Sequence, residues 1–256
     1  MSEFIWSVFT KPWASLPGDE LGKLVAGLGF TGAEVPVRDN AFVTPANALS
    51  LLPGFVAQLR EHGVTTISIA SDLAEETFAA CQAAGVPLIR IMAELGADGY
   101  TSSVRRMRAR LESVVALARE YDVQVGVQPH HGRFVSSSLG VLALLEGLPT
   151  DHFKVVWDAA HDALAGDDPT VTLPLVADRL AIVNLKNVVY RPTTGGAWTP
   201  YYVEAPDGLA NWSTALTTLT ALNYTGPICL TAQYSDPTLP LEPRLQRDLT
   251  HAQTLA

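Results

Sequence analysis

Two short segments of the sequence combine residue types that can transfer protons or bind a metal ion. Asp158 and His161 stand three residues apart, and His130 is followed directly by His131. Carboxylates and imidazoles act as general acids and bases, and both are common metal ligands. We therefore predict that Asp158, His161 and His130 lie beside one substrate or one metal ion. Helix capping and surface exposure are the alternative roles.

Two further charged residues lie in apolar segments, where an unpaired charge is costly. Glu34 follows small residues, and it can serve as a general base or hydroxyl acceptor, or form a salt bridge with Arg38 or another base. Lys186 can contact an anionic substrate or pair with a carboxylate. We predict catalytic roles for both residues and leave the ion-pair alternatives open.

The remaining candidates are polar or aromatic residues located at or just after the ends of apolar segments. Their side chains could contact a substrate. Basic side chains among them favour a phosphorylated or acidic sugar, although they can also neutralise carboxylates. Trp157 suits either the apolar face of a sugar ring or the protein core. The predicted substrate-binding residues are Lys11, Arg38, Arg90, Gln128, His131, Trp157, Asn184, Asn187 and Gln233.

The elements that must position these residues alternate between short apolar segments and longer helical ones, as in a parallel α/β fold. The predicted strands are Phe4–Thr10, Gly32–Val37, Val64–Ala70, Pro87–Met92, Val123–Gln128, Phe153–Asp158, Leu180–Lys186 and Pro227–Gln233. The predicted helices are Asp19–Leu28, Ala46–His62, Asp72–Ala84, Ser102–Tyr121, Ser136–Leu148, Val171–Asp178 and Trp212–Leu222, with a loop from Asn187 to about Ala210.

Eight strands with intervening helices predict a (β/α)8 TIM barrel that occupies residues 1–256 as a single domain. A doubly wound sheet is the competing fold, but the first turn lacks its glycine-rich fingerprint. In a barrel the strands' carboxyl ends share one rim, so the candidate residues are expected to converge there. Gln128 and His130 share one face of their strand, as do Asn184 and Lys186.

Composition limits the classes of function. Hydrophobic residues make up 48% of the chain, enough for a large core. The net charge of −9 argues against general nucleic-acid binding. We expect the two cysteines, Cys81 and Cys229, to be buried thiols. No signal peptide or membrane-spanning segment is evident, so we expect a cytoplasmic protein. The oligomeric state stays open, with a homo-oligomer compatible with the sequence.

The sequence resembles the sugar phosphate isomerase/epimerase family, the xylose-isomerase-like barrels. The resemblance covers nearly the whole chain, through GFTGAEVPVR, VGVQPHHG, VVWDAAH, VNLKN and GPICLTAQYSD. It implies proton transfer between adjacent sugar carbons through an enediolate, with a divalent metal and two carboxylates. The usual ligands are a Glu, an Asp, a His and a Glu on strands five to eight.

This chain departs from that ligand pattern. Gln128 and Asn184 stand where the first Glu and the His are expected, and Gln233 or Thr231 stands at the last Glu. Asp158 is retained, and so is His161, which in relatives usually contacts substrate. A divalent Mn, Mg or Zn ion held by His130, Asp158 and His161 is one expectation, and a site without metal is the other.

Two functional hypotheses follow. The first is an isomerase or epimerase acting on a small carbohydrate or sugar phosphate, with Glu34 or a histidine as the base. The second is a barrel that binds such a ligand without turnover, because the usual carboxylates are absent.

Overall fold

The computed structural model describes residues 4–256, and eight parallel strands form a closed barrel. Each strand pairs with its neighbour in sequence, and the last pairs with the first. The predicted TIM barrel is thereby confirmed. The barrel strands are β1 Ile5–Phe9, β2 Gly32–Pro36, β3 Thr65–Ala70, β4 Leu88–Met92, β5 Gln124–Gln128, β6 Phe153–Asp158, β7 Leu180–Leu185 and β10 Pro227–Leu230.

Helices connect the strands and cover the outside of the barrel. They are α1 Gly18–Gly27, α2 Ala48–Glu61, α3 Glu75–Ala84, α4 Tyr100–Ser113, α5 Val115–Glu120, α6 Ser138–Leu145, α7 Ala159–Ala165, α8 Pro169–Val176, α9 Trp212–Ala221 and α10 Leu241–Leu255. Among residues 4–256, no helix is long and apolar enough to cross a membrane.

The structure corrects two predicted elements and adds a helix. The helix predicted over Ser102–Tyr121 is two helices that meet at Val114, whose φ of −103° and ψ of 6° lie outside the helical range. Strand β10 ends at Leu230 rather than Gln233, because Ala232 adopts a left-handed φ of 50°. Helix α7 was not predicted; it begins directly after Asp158, whose carboxylate caps it.

The segment predicted as a loop contains an antiparallel hairpin of β8 Asn187–Pro192 and β9 Trp198–Val203. The Asn187 side chain connects the start of this hairpin to the segment that follows it. Its Nδ2 donates to the carbonyls of Ala205 and Ala210, at 2.6 and 3.0 Å. Its Oδ1 accepts from the backbone N–H groups of Val188 and Ala210. Since every donor and acceptor of this buried amide has a backbone partner, Asn187 is structural rather than substrate-binding.

Side chains alternate between the barrel interior and the layer beneath the helices, and this places Trp157 outside the barrel. Asp158 and Val156 of β6 face inward, whereas Trp157 packs in the outer core. The Trp157 ring is fully buried, and its Nε1 donates to Thr172 Oγ1 at 3.0 Å. The predicted sugar contact of Trp157 is therefore wrong, because the indole lies on the opposite face of the sheet.

The barrel interior changes from apolar to polar along its axis. Leu88, Val156 and Ile182 form part of an apolar interior cluster. Gly126 lies among them, and a Cβ added there would be 2.8 Å from Val156 Cγ2. Two residues further along the same strands come Arg90, Gln128, Asp158 and Asn184. A packed apolar floor therefore carries the polar side chains at the carboxyl end.

Candidate functional site

A cavity of about 340 Å³ opens at the carboxyl ends of the barrel strands. Its walls come from β1, β4, β5 and β7 and from the segments that follow β1, β2, β5, β7 and β10. It is lined by Phe9, Lys11, Pro12, Arg38, Arg90, Met92, Gln128, His130, Asn184, Lys186, Thr231, Ala232, Gln233 and Tyr234.

Glu34 and Arg90 form a buried, bidentate ion pair on one side of this cavity. Arg90 Nε lies 2.8 Å from both carboxylate oxygens of Glu34, and an Arg90 terminal nitrogen lies 2.6 Å from Oε1. Ser68 Oγ donates to Glu34 Oε2 at 2.9 Å. Both Glu34 oxygens are thus engaged, and Glu34 does not line the cavity. This geometry supports the salt-bridge alternative for Glu34, with Arg90 rather than Arg38 as its partner.

Gln128 connects this pair to Asp158. A second terminal nitrogen of Arg90 donates to Gln128 Oε1 at 2.7 Å, and Gln128 Nε2 donates to Asp158 Oδ2 at 2.6 Å. All three side chains are buried. Buried polar groups are tolerated when each has a partner, so the amide serves as a relay between two charged groups.

Asp158 also pairs with Lys186, which in turn contacts His161. Lys186 Nζ lies 3.0 Å from Asp158 Oδ2 and 2.9 Å from His161 Nε2. Asp158 Oδ1 accepts from the backbone N–H of His161 at 3.1 Å. One continuous polar network therefore crosses the barrel mouth. It runs from Ser68 through Glu34, Arg90, Gln128, Asp158 and Lys186 to His161.

Burial sets the protonation states at the end of this network. It lowers the pKa of His161 to about 2, which leaves the imidazole neutral at pH 7. Burial alone raises the pKa of Asp158, but the Lys186 ammonium and the hydrogen bond from the backbone N–H of His161 outweigh it and lower the pKa to about 2. Burial also lowers the pKa of Lys186, while Asp158 opposes that shift. Because His161 is neutral, Lys186 provides the positive charge opposite Asp158.

His130 lines the cavity with a defined tautomer. Its Nδ1 lies 2.8 Å from the carbonyl oxygen of His131, which can only accept, so Nδ1 carries the hydrogen. Nε2 then holds a lone pair, and within residues 4–256 it has no hydrogen-bond partner. Burial lowers the pKa of His130 to about 4. His130 is consequently a neutral base with its acceptor nitrogen unused.

Two buried polar atoms in the cavity wall have no partner within the described part of the chain. They are Asn184 Oδ1 and Thr231 Oγ1, and both residues line the cavity. An unpaired buried polar atom costs on the order of 1–3 kcal/mol. A ligand carrying hydroxyl groups would satisfy both atoms.

The cavity lining is strongly basic, although the whole chain is acidic. Lys11, Arg38, Arg90 and Lys186 line it, and no Asp or Glu of residues 4–256 is among the lining residues. Glu34 and Asp158 neutralise Arg90 and Lys186 from beneath. Arg38 makes no ion pair with any residue in the range 4–256, and its guanidinium lies 5.8 Å from the centre of the Phe9 ring. Arg38 and Lys11 therefore provide the uncompensated positive charge of the cavity.

The structure brings together most of the predicted site residues. Lys11, Arg38, Arg90, Gln128, His130, Asn184, Lys186 and Gln233 line the cavity. Glu34, Asp158 and His161 contact these residues from the buried side. His131 is half-buried beside His130, with ring centres 4.9 Å apart, and does not line the cavity. Trp157 and Asn187 lie elsewhere, as described above.

The three predicted metal ligands lie close together but are not arranged as a metal site. The ring centres of His130 and His161 are 4.2 Å apart, and His161 Nε2 is 4.0 Å from Asp158 Oδ2. Nevertheless, residues 4–256 contain no group of three or more His, Cys, Asp or Glu side chains suited to a metal ion. The space beside Asp158 and His161 is taken by the Lys186 ammonium.

Ser68, Phe9 and Tyr202 are among the residues at this site that sequence reasoning overlooked. Ser68 supports Glu34, and its signal was a polar residue at an inward position of β3. Phe9 lies between Arg38 and Arg90, with the Arg90 guanidinium 4.8 Å from its ring centre. Tyr202 of β9 lies 5.7 Å from Lys186 Nζ, measured to the ring centre. No signal pointed to Tyr202, because its segment was predicted to be a loop.

The fold has many solved counterparts of low sequence identity. The 3-keto-D-glucoside 4-epimerase YcjR from E. coli is 13% identical, has a TM-score of 0.76, and is matched over 98% of this chain and 100% of that one. D-psicose 3-epimerase with D-tagatose, from Clostridium cellulolyticum H10, is 11% identical with a TM-score of 0.75, over 98% and 99% of the two chains.

A third counterpart is a xylose isomerase-like TIM barrel protein from Mycobacterium smegmatis in complex with magnesium. It is 14% identical, with a TM-score of 0.71 over 98% of this chain and 96% of that one. No curated protein matches the sequence. The profile of the xylose isomerase-like TIM barrel family matches residues 23–255. The chain thus belongs to the xylose isomerase-like TIM barrel family.

Proposed function

We propose that this protein is an isomerase or epimerase that moves a proton within a small anionic carbohydrate through an enediolate. The observation that carries the proposal is the pairing of two groups at one cavity. His130 presents an unused basic nitrogen, and Lys186 presents an ammonium held between Asp158 and His161. A base and a fixed positive charge are the two requirements for removing a proton next to a carbonyl group.

In this mechanism His130 Nε2 accepts the proton from the carbon beside the carbonyl. The electron pair of the broken C–H bond forms the enediolate, and the proton is returned to carbon in the second half of the reaction. Lys186 has three N–H donors, of which Asp158 and His161 engage two. The third is available to the enediolate oxygen. Asp158, whose pKa is held at about 2, acts as the counter-ion that positions the ammonium.

The residues of the cavity wall support the proposed substrate class. Arg38 and Lys11 favour a carboxylate or phosphate group on the ligand, because neither has a paired acid at the cavity. Asn184 Oδ1 and Thr231 Oγ1 favour hydroxyl groups. Two solved proteins of this fold are named as sugar epimerases, which supports a carbohydrate rather than another polar ligand.

The test is solvent deuterium exchange. The purified protein is incubated in deuterated water with a panel of keto- and aldo-sugars, sugar acids and sugar phosphates. The reactions are run with EDTA and, separately, with Mn²⁺ or Mg²⁺. We expect deuterium at the carbon beside the carbonyl of an anionic member of the panel. If no member gains deuterium under any condition, the proposed reaction is wrong.

A second candidate function is a ligand-binding barrel without turnover. It is favoured by the burial of Glu34 and Asp158, since both carboxylates are held in ion pairs and neither lines the cavity. Under this alternative, an anionic sugar raises the melting temperature but gains no deuterium. The same panel therefore separates the two functions.

A further inference from the structure

In the candidate site, the Lys186 ammonium lies between the two side chains that could otherwise bind a metal ion, Asp158 and His161. Asp158 Oδ2 and His161 Nε2 belong to the oxygen and imidazole ligand types that divalent metals use. In this structure both atoms are within 3.0 Å of a single atom, Lys186 Nζ. A metal ion bound by the same two atoms would have to displace the ammonium.

The neighbouring amide is turned so that it does not offer a ligand oxygen. Gln128 Oε1 accepts from an Arg90 terminal nitrogen at 2.7 Å, and Nε2 donates to Asp158 Oδ2 at 2.6 Å. The reversed amide would place N–H against the guanidinium and oxygen against the carboxylate. Both contacts would be repulsive, so the network fixes the orientation. The Gln128 atom closest to Asp158 is consequently a donor, which repels a metal.

The charges of the network balance without a metal. Glu34 and Asp158 supply two negative charges, and Arg90 and Lys186 supply two positive ones, all in buried side chains. A divalent ion added here would leave an excess of two positive charges in a buried site, which is strongly unfavourable. The residues present therefore do not fit a divalent metal.

We propose that the Lys186 ammonium takes the place of the divalent cation in this barrel, so that wild-type protein binds neither Mg²⁺ nor Mn²⁺ between Asp158 and His161. Lys186 holds the position of a metal and supplies the positive charge next to the cavity. The inference rests on the site of the proposed function. Metal uptake is measured without substrate, however, so the two proposals can fail separately.

The experiment uses Mn²⁺ as the probe with three purified, EDTA-treated proteins: wild type, Lys186→Ala and the double variant Asp158→Asn/Lys186→Ala. Electron paramagnetic resonance measures the loss of the free Mn²⁺ signal, and thermal melting measures stabilisation by Mn²⁺. Lys186→Ala removes the ammonium and leaves the Asp158 carboxylate without a partner. We expect it to bind Mn²⁺ at least about tenfold more tightly than wild type, and the double variant to lose that gain.

Melting keeps the test informative if Lys186→Ala is unstable. The bare Asp158 charge destabilises the variant, and Mn²⁺ is expected to raise its melting temperature while leaving wild type unchanged. Two results overturn the inference. One is wild-type protein that binds Mn²⁺ and loses this binding in the single variant Asp158→Asn, which is measured as a fourth protein. The other is a Lys186→Ala protein whose melting and Mn²⁺ signal do not respond to the ion.

Discussion

Lys186 Nζ lies 3.0 Å from Asp158 Oδ2, and the side chains are 5% and 0% exposed. This ion pair joins β6 to the end of β7 and connects the structural network beneath the cavity to the groups that face it. A buried pair is costly to break from one side, because the remaining charge keeps its desolvation penalty without its partner. The predictions below concern this pair and the groups around it.

Removing the carboxylate of Asp158 is expected to lower the stability of the fold. Asp158→Asn leaves the Lys186 charge uncompensated, and we expect a loss of about 3–5 kcal/mol in the free energy of unfolding. Asp162→Asn is the matched control, in the helix α7 that Asp158 caps. Asp162 is also buried, accepts from Ser138 Oγ at 2.9 Å, and does not line the cavity. Urea unfolding measures the free energy of unfolding of both variants. Equal losses in the two variants would contradict the role given to the Asp158–Lys186 pair.

Glu34 and Arg90 are expected to behave as one unit in unfolding. Each single variant, Glu34→Gln or Arg90→Met, leaves a buried charge behind and should cost about 3–5 kcal/mol. The double variant should cost clearly less than the sum, because no unpaired charge remains between the two sites. A double-mutant cycle from urea unfolding gives the coupling energy. Additive losses would show that the bidentate contact is not a coupled pair.

Acid should destabilise the protein through His161. The pKa of His161 is about 2 in the folded chain against 6.5 for an unperturbed histidine, so between these values only the unfolded chain takes up the proton. Stability is therefore full above pH 6.5 and falls as the pH drops toward 2. This one group contributes about 1.4 kcal/mol per pH unit.

Urea unfolding at several pH values measures that slope. His161→Gln is expected to lower the slope between pH 6 and pH 4.5 by roughly that amount. His251→Gln, on the C-terminal helix α10 and away from the cavity, is measured as the control variant. An unaltered slope in His161→Gln would mean that the imidazole is not buried in its neutral form.

Arg38 is expected to set the preference for an anionic ligand. The ligand pair is a sugar acid and its neutral polyol counterpart, for example gluconate and glucitol, measured by calorimetry with wild type and Arg38→Ala. Loss of a charge-assisted contact should weaken binding of the acid by about tenfold and leave the polyol unaffected. Arg105→Ala, on the exposed face of α4, is the control. Equal weakening of both ligands would contradict a specific anion contact.

The barrel could be predicted from sequence because its strands are apolar and bounded by helices with clear ends. The strand order needed no further information, since sequential strands pair in such folds. The hairpin β8–β9 was missed because its strands lie outside the barrel and follow β7 without a turn signal. Helix α7 was missed because it has only seven residues and follows β6 directly.

The site was predictable as a group of residues but not as a set of roles. Polar residues at strand ends indicated which side chains meet at the rim. The pairing of carboxylates with basic side chains depends on strand register and side-chain rotamers, which the sequence does not show. In the structure Arg90 pairs with Glu34, and Lys186 pairs with Asp158. Trp157 was predicted to contact the sugar because it is adjacent to Asp158 in the sequence. The two side chains lie on opposite faces of β6, so Trp157 does not reach the cavity.

The most direct test of the account compares the two adjacent histidines in solvent deuterium exchange with an anionic sugar substrate. His130 lines the cavity with its Nε2 unused, whereas His131 does not line it. His130→Gln is expected to lower the exchange rate by about a hundredfold or more, and His131→Gln by far less. If His130→Gln exchanges deuterium at the wild-type rate, His130 is not the base and the proposed mechanism is wrong.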